Sequence, residues 1–190
     1  MRVTLRNKNT KDYWNDRWKN APPDALPSND DFYPMCFVKD LIQTESLSAG
    51  GQFLKHKFLE AGCGNGRIMH YCASRNIDIT GIDYSVEAVN NLNTYYPALK
   101  VTHDNIFNTS FKDGVFNCVF AFGLYHNFCY LDAKRALIET NRIMKNDAVL
   151  CCSFRADNLQ SWLIDMTKSS RRGATDFHKL NLRRAEIHTL

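Results

Sequence analysis

Phe58-Leu59-Glu60-Ala61-Gly62-Cys63-Gly64-Asn65-Gly66-Arg67, read with the segment that follows it through Asp83, decides the fold of this chain. Phe58 and Leu59 end a short apolar run that reads as a buried strand. Three glycines at alternate positions then make a turn, and from Ile68 the pattern becomes helical through Met69, Tyr71 and Cys72. A second apolar run, Ile77 to Ile82, closes on Asp83. Strand, glycine turn, helix, strand and acid form one βαβ unit of the nucleotide-binding kind. Glycine permits positive φ and lets a ligand approach the backbone without meeting a Cβ. The turn feeds a helix N-terminus, whose free N–H groups and dipole favour a polar or anionic ligand group. An acid at the end of the second strand, about 20 residues on, can accept hydrogen bonds from ribose hydroxyls. Asp83 stands there, so the expected ligand is a nucleoside.

The spacing narrows the choice. A dinucleotide fingerprint reads G-x-G-x-x-G, whereas here Gly62, Gly64 and Gly66 alternate and Glu60 precedes them. NAD or another nucleotide is thus the weaker alternative. The arrangement from Glu60 to Gly66 resembles the first motif of class I S-adenosylmethionine-dependent methyltransferases. That resemblance implies S-adenosylmethionine as cofactor and S-adenosylhomocysteine as product. It implies an α/β fold, a Rossmann-like doubly wound, mostly parallel sheet. The implied cofactor-binding residues start with Glu60, Gly62, Cys63, Gly64, Asp83 and Tyr84.

The remaining motifs follow in chain order. Lys11 to Asn20 carries Tyr13, Trp14 and Trp18 at helical spacing. It resembles the leading segment that folds over the cofactor as a lid, so Tyr13 and Trp18 join the expected binding set. Such an aromatic lid would exclude water around a sulfonium. Ala21 to Asp31, with Pro22, Pro23 and Pro27, reads as a loop. Pro34 suits the first turn of a helix running to about Thr44, and Ser46 to Gln52 reads as a flexible connector. Ser85 is an N-cap with Glu87 in the first helical turn. Leu99 to His103 is a third strand, followed by Asp104. In the family an acid there accepts from the adenine amino group and the next residues cover the ring, which assigns Asp104, Asn105 and Ile106.

Val115 to Phe122 is almost wholly apolar, as a central parallel strand should be. The family usually has an acid near position 117, where this chain has Asn117. The loop Phe122-Gly123-Leu124-Tyr125-His126-Asn127 resembles the fourth motif, with Phe122 flanking the methionine part. A general base matters only if the attacking atom must lose a proton. His126 and Tyr125 are the catalytic candidates for that role. Leu131 to Met144 reads as a helix, Asn146-Asp147 as a turn and Ala148 to Phe154 as the fifth strand. Asp157 or Asn158 caps a further helix through Met166.

The five strands expected are 57–61, 77–83, 99–103, 115–122 and 148–154. Family members have seven in the order 3-2-1-4-5-7-6, so the C-terminal hairpin, strands 6 and 7, is expected to be missing. Phe177 to Leu180 resembles the segment before the final helix, and Asn181 to His188 resembles its start. The chain then reads as one methyltransferase domain over 1–190, with a lid at 11–50, a cofactor-binding core at 57–154 and an incomplete C-terminal part at 155–190. Without the hairpin, the fifth strand would offer a sheet edge for self-association, unless another segment covers it.

Bulk properties agree with a globular enzyme. The chain has 190 residues, 44% hydrophobic and 23% charged, enough to bury one core. No run reaches the roughly 18 apolar residues of a membrane helix, and the polar N-terminal stretch lacks a signal-peptide core. A cytoplasmic protein with no membrane partner is expected. Seven cysteines, an odd number with no Cys-x-x-Cys, argue against a disulfide framework or zinc site, and no metal is expected. The net charge of +4 leans on Arg2, Arg6, Lys8 and Lys11 in front and on Lys168, Arg171, Arg172, Lys179, Arg183 and Arg184 behind. Basic ends can mark nucleic-acid contact, but solvated faces account for them as well. The favoured acceptor is a small molecule. An RNA or protein methyltransferase is the alternative, weakened for nucleic-acid amino groups by the lack of an Asn-Pro-Pro-Tyr type motif. A non-catalytic cofactor-binding or partner subunit is the rival outside the enzyme class.

Overall fold

The computed structural model describes residues 2–6, 10–19, 21, 34–157, 160 and 176–182. Its centre is a parallel sheet of five strands: β2 (Lys57–Ala61), β3 (Asp78–Asp83), β4 (Lys100–His103), β5 (Phe116–Ala121) and β6 (Met144–Cys152). The spatial order is β4-β3-β2-β5-β6, and every pairing is parallel. The order reverses between β2 and β5, which opens a crevice beyond their carboxyl ends, where ligands bind in such sheets. This is the Rossmann-like fold of class I methyltransferases.

Alternation along the strands divides the interior into two layers. Phe58, Cys118 and Phe120 face α2 (Met35–Ala49) and α3 (Arg67–Ala73), packing with Met35, Val38, Ile42, Met69 and Cys72. Phe58 stacks on Phe120 with ring centroids 6.1 Å apart. Leu59, Ala61, Val119 and Ala121 face the other way, onto α5 (Tyr130–Ile143) through Ala133, Ala136 and Ile143. Those three share the inner stripe of α5, at helical spacing. α4 (Val86–Tyr95) is capped by Ser85, whose Oγ accepts from Ala88 N at 3.3 Å. α1 (Lys11–Lys19) lies against α4.

Several local expectations shift. Pro34 caps α2 rather than entering it, and the helix continues past Thr44 to Ala49 before a 3-10 turn to Lys55. The connector expected at Ser46 is therefore mostly helical, and Gly50 at φ 53 ends the helix. Asn146 and Asp147 are not a free turn. α5 runs directly into β6, and the register slips between Phe116 and Cys118, so a bulge on β6 absorbs the polar pair. Asn117 Oδ1 accepts from Lys57 N at 3.1 Å and Lys145 Nζ at 3.0 Å, tying three strands together.

A second sheet was not foreseen. β1 (Arg2–Arg6), part of the polar N-terminal stretch for which no strand was expected, pairs antiparallel with β8 (Asp176–Leu182), and β7 (Arg155–Ala156) pairs parallel with β8. Asn181 and Leu182 thus extend a strand, where the start of a final helix was expected. The expected loop from Pro22 and the helix through Met166 lie outside the described residues.

Candidate functional site

Beyond the carboxyl ends of β2, β3 and β5 lies a cavity of about 430 Å³. Its floor is the glycine turn. Gly62, Gly64 and Gly66 have φ of 69°, 53° and 70°, the left-handed region that only glycine enters without strain. Gly62 N and Cys63 N both donate to Ile82 O, at 2.8 and 3.0 Å, which ties the turn to the end of β3. Asp83 completes the tie. Its Oδ2 accepts from Gly64 N and its Oδ1 from Ser85 N, each at 2.8 Å. The acid therefore staples the turn to the cap of α4 and keeps lone-pair capacity for a further donor. This structural duty was invisible in the sequence.

Glu60 is buried in the wall of the cavity, with Oε2 accepting from Met69 N at 3.1 Å. Burial raises its pKa to about 8; the Met69 N–H opposes this, Asp83 adds to it and Arg67 opposes it. Its carboxyl is thus mostly protonated at neutral pH, and a cation brought beside it would favour the ionised form. Burial also pushes up the Cys63 thiol, helped by the charges of Asp83 and Glu60. Cys63 is thereby held as a neutral thiol.

The walls come from loops. Tyr84, Asp104, Asn105, Ile106 and Phe122 all line the cavity, as does Trp18 from α1. The indole of Trp18 rests on the glycine turn: a Cβ added at Gly64 would sit 2.5 Å from Trp18 Cζ2. Two polar contacts seat α1, Ser85 Oγ donating to Asn15 Oδ1 at 2.8 Å and Asn91 Nδ2 donating to Trp18 O at 2.9 Å. Sequence reasoning missed Trp14, Arg17, Arg67, Phe107, Leu124, Asn127 and Phe128 on the same cavity. Trp14 and Phe107 adjoin residues already singled out, so neighbour position was the available signal. Asn127 Nδ2 donates to Gly123 O across the loop after β5.

Three expected residues stand elsewhere. Tyr13, Tyr125 and His126 do not contribute to the lining. Tyr13 meets Trp14 edge to face at 5.1 Å. The 3-10 turn Tyr125–Asn127 points Tyr125 into the core, fully buried, with its ring stacked on Phe154 at 5.8 Å. Thr140 Oγ1 donates to Ala136 O at 2.7 Å, so the 2.8 Å bond between Tyr125 and Thr140 is donated by the phenol. Burial raises the Tyr125 pKa further, which keeps the phenol protonated.

S-adenosylmethionine, implied by the motif, fits these groups. The buried carboxyl of Glu60 in the cavity wall can pair with its ammonium, whose charge would favour the ionised carboxylate. Asp83 and Asp104 can accept from hydroxyl and amino donors, and Ile106, Phe122 and Trp18 offer apolar faces. The glycine floor lies close enough that a side chain at Gly62 would meet Leu124 Cδ1 at 3.1 Å.

Comparison with known proteins agrees with this fit. Residues 59–152 match a family model described as a methyltransferase domain. No curated protein sequence matches the chain. Among solved structures, an S-adenosylmethionine-dependent methyltransferase from Methanosarcina mazei is similar, with TM-score 0.62 and 20% identity over 70% of this chain and 75% of that one. Magnesium protoporphyrin IX methyltransferase from Synechocystis, solved with S-adenosylhomocysteine bound, gives TM-score 0.64 and 15% identity over 94% and 84%. A putative methyltransferase from Haloferax volcanii, solved in complex with the Trm112 methyltransferase activator, gives 0.56 and 16% over 80% and 70%.

Proposed function

The chain belongs, through residues 59–152, to the class I S-adenosylmethionine-dependent methyltransferase family with that cofactor, and from this premise we propose that it methylates a small-molecule acceptor. The observation that carries the proposal is the cavity itself: a narrow, aromatic-walled recess roofed by α1, with Trp14, Trp18, Phe107, Phe122 and Phe128 around it. Such walls suit a small, largely apolar molecule better than a charged polymer backbone.

When bound, the cofactor supplies a methyl group activated by sulfonium: an acceptor lone pair forms the new bond as the carbon–sulfur bond breaks, and the bonding pair returns to sulfur. The chain's own residues position and desolvate. In this reading Glu60 faces the ammonium, Asp83 the ribose hydroxyls and Asp104 the adenine amino group, with Asn105 and Ile106 over the ring and Tyr84 beside the ribose. Phe122 and Trp18 close on the methionine part and keep water from the reacting carbon. Tyr125 serves the core. Where the acceptor must lose a proton, this reading sends it to solvent, since neither Tyr125 nor His126 is among the residues that line the cavity.

Calorimetric titration with S-adenosylhomocysteine, with NAD as control, is the direct test. Micromolar binding of S-adenosylhomocysteine alone is expected, followed by methyl transfer to some member of a panel of small aromatic and aliphatic nucleophiles. Turnover only on RNA or protein would overturn the acceptor class. In a working assay His126→Gln keeps kcat within about threefold, as for a group without a proton-transfer role. A loss nearer 10²-fold or more would restore it as the base.

A further inference from the structure

Glu139 is a buried acid outside the cavity lining, hydrogen-bonded to Thr109, 30 residues before it in the chain. Its Oε1 accepts from Thr109 N and from Thr109 Oγ1, each at 2.7 Å, and from Arg142 Nη2 at 2.6 Å; its Oε2 accepts from Arg142 Nε at 2.8 Å. Arg142 Nη1 in turn donates to Asp113 Oδ1 at 2.5 Å, and its Nη2 reaches Thr109 Oγ1 at 3.3 Å. The guanidinium and the Thr109 donors hold the Glu139 carboxyl down at about 2 against the opposing effect of burial. Four donors, two of them from Thr109 and two from Arg142, thus converge on the Glu139 carboxylate and tie it to Thr109 in the connector between β4 and β5.

The next residue shows what this clamp does. Ser110 gives Asp104 Oδ2 two hydrogen bonds, from its N at 3.0 Å and from its Oγ at 2.8 Å. Asn105 N gives Oδ1 a third at 2.7 Å. A carboxylate offers about four lone-pair positions, so these donors leave one, on Oδ1, for a ligand N–H. Asp104 lines the cavity and Ser110 is exposed. An exposed serine holds its geometry only if its backbone is fixed, and Glu139 fixes the preceding residue.

We propose that Glu139 is a positioning residue for nucleobase recognition: through Thr109 and Ser110 it aims the remaining lone pair of Asp104 at the amino group of a 6-aminopurine. The proposal rests on the reading of Asp104 given above. α5 thereby sets ligand specificity from behind the connector.

The test compares Kd for S-adenosylhomocysteine and for S-inosylhomocysteine, in which a carbonyl replaces the 6-amino group. In the wild type the adenosyl compound binds on the order of tenfold or more tighter, the discrimination of a charged acceptor for its donor. Glu139→Gln and, separately, Ser110→Ala shrink that ratio to within about threefold, chiefly by weakening the adenosyl compound. Ser110→Ala removes one exposed hydroxyl and tests the last link to Asp104; if Glu139→Gln does not fold, Thr109→Val, which deletes the hydroxyl bond to Glu139 at nearly constant volume, decides the question by the same ratio. Equal losses for both ligands, or an unchanged ratio in the folded variants, overturn the proposal. Asp104→Asn is run in parallel. If it leaves the ratio unchanged, the Asp104 reading fails and the proposal with it; if it alone moves the ratio, only the role of Glu139 fails.

Discussion

Glu60 concentrates the chemistry of single residues. Its carboxyl has a pKa raised from 4.5 to about 8 by burial, so the folded state binds a proton that the unfolded chain gives up. Folded protein therefore loses stability as pH rises from about 4.5 to 8, by about 1.4 kcal/mol per pH unit at the steepest. Glu139 has the opposite sign: its stabilisation is complete above 4.5 and is lost as pH falls through about 2. The two windows do not overlap. Glu60→Gln keeps an acceptor for Met69 N and removes the ionisation. Its thermal midpoint should exceed that of the wild type at pH 8 and match it near pH 5, and scanning calorimetry at both values checks this. The same variant should lose cofactor affinity, because an amide cannot neutralise an ammonium. Glu60 was singled out in the sequence by its place before the glycines. The staple from Asp83 to Gly64 was not, because a hydrogen bond over 19 residues of chain leaves no local trace.

Elements were legible where one pattern ruled them. The apolar run at Phe58 and the almost wholly apolar run of β5 gave strands to within a residue or two, since buried parallel strands leave little room for another reading. α1 was legible from Tyr13, Trp14 and Trp18, although which aromatic faces the ligand was not: Tyr13 and Trp18 are five residues apart, and only one rests on Gly64. α1 has no fully buried residue, so the Trp18 indole and the two hydrogen bonds to Ser85 and Asn91 weigh heavily in its docking. Trp18→Ala should weaken S-adenosylhomocysteine binding by about 1–2 kcal/mol, roughly tenfold. Calorimetry measures the loss, and the indole emission change on titration should fall with it. Full affinity in Trp18→Ala would mean that the helix serves only to cover α4. The turn at Asn146 was misread because a bulge and a turn share polar residues, and only the partner strand distinguishes them.

For the whole molecule, five strands could be counted in the sequence, and the order β4-β3-β2-β5-β6 is the one that the resemblance to class I methyltransferases implied. β1 and β8 escaped that logic. Each is polar, and β1 finds its partner β8 only across nearly the whole chain, while β8 also pairs with β7. Among the described residues no helix is long and apolar enough to cross a membrane. The basic residues Arg2, Arg6 and Lys179, read from sequence as solvated ends, share one small sheet. Hydrogen exchange should separate the two sheets, with β2 and β5 amides protected to the global limit and β1 amides exchanging at least about 10²-fold faster.

The pairing of Arg2 with Asn181 also fixes an order in time. A loop of that length closes at a growing entropic cost, and two short strands cannot repay it alone. The β1–β8 contact must wait until the intervening sheet has already brought its ends together, so it belongs to the last stage of folding. It is then the clasp that fastens after the garment is on, and the first to come undone under mild denaturant, before the cofactor cavity is disturbed.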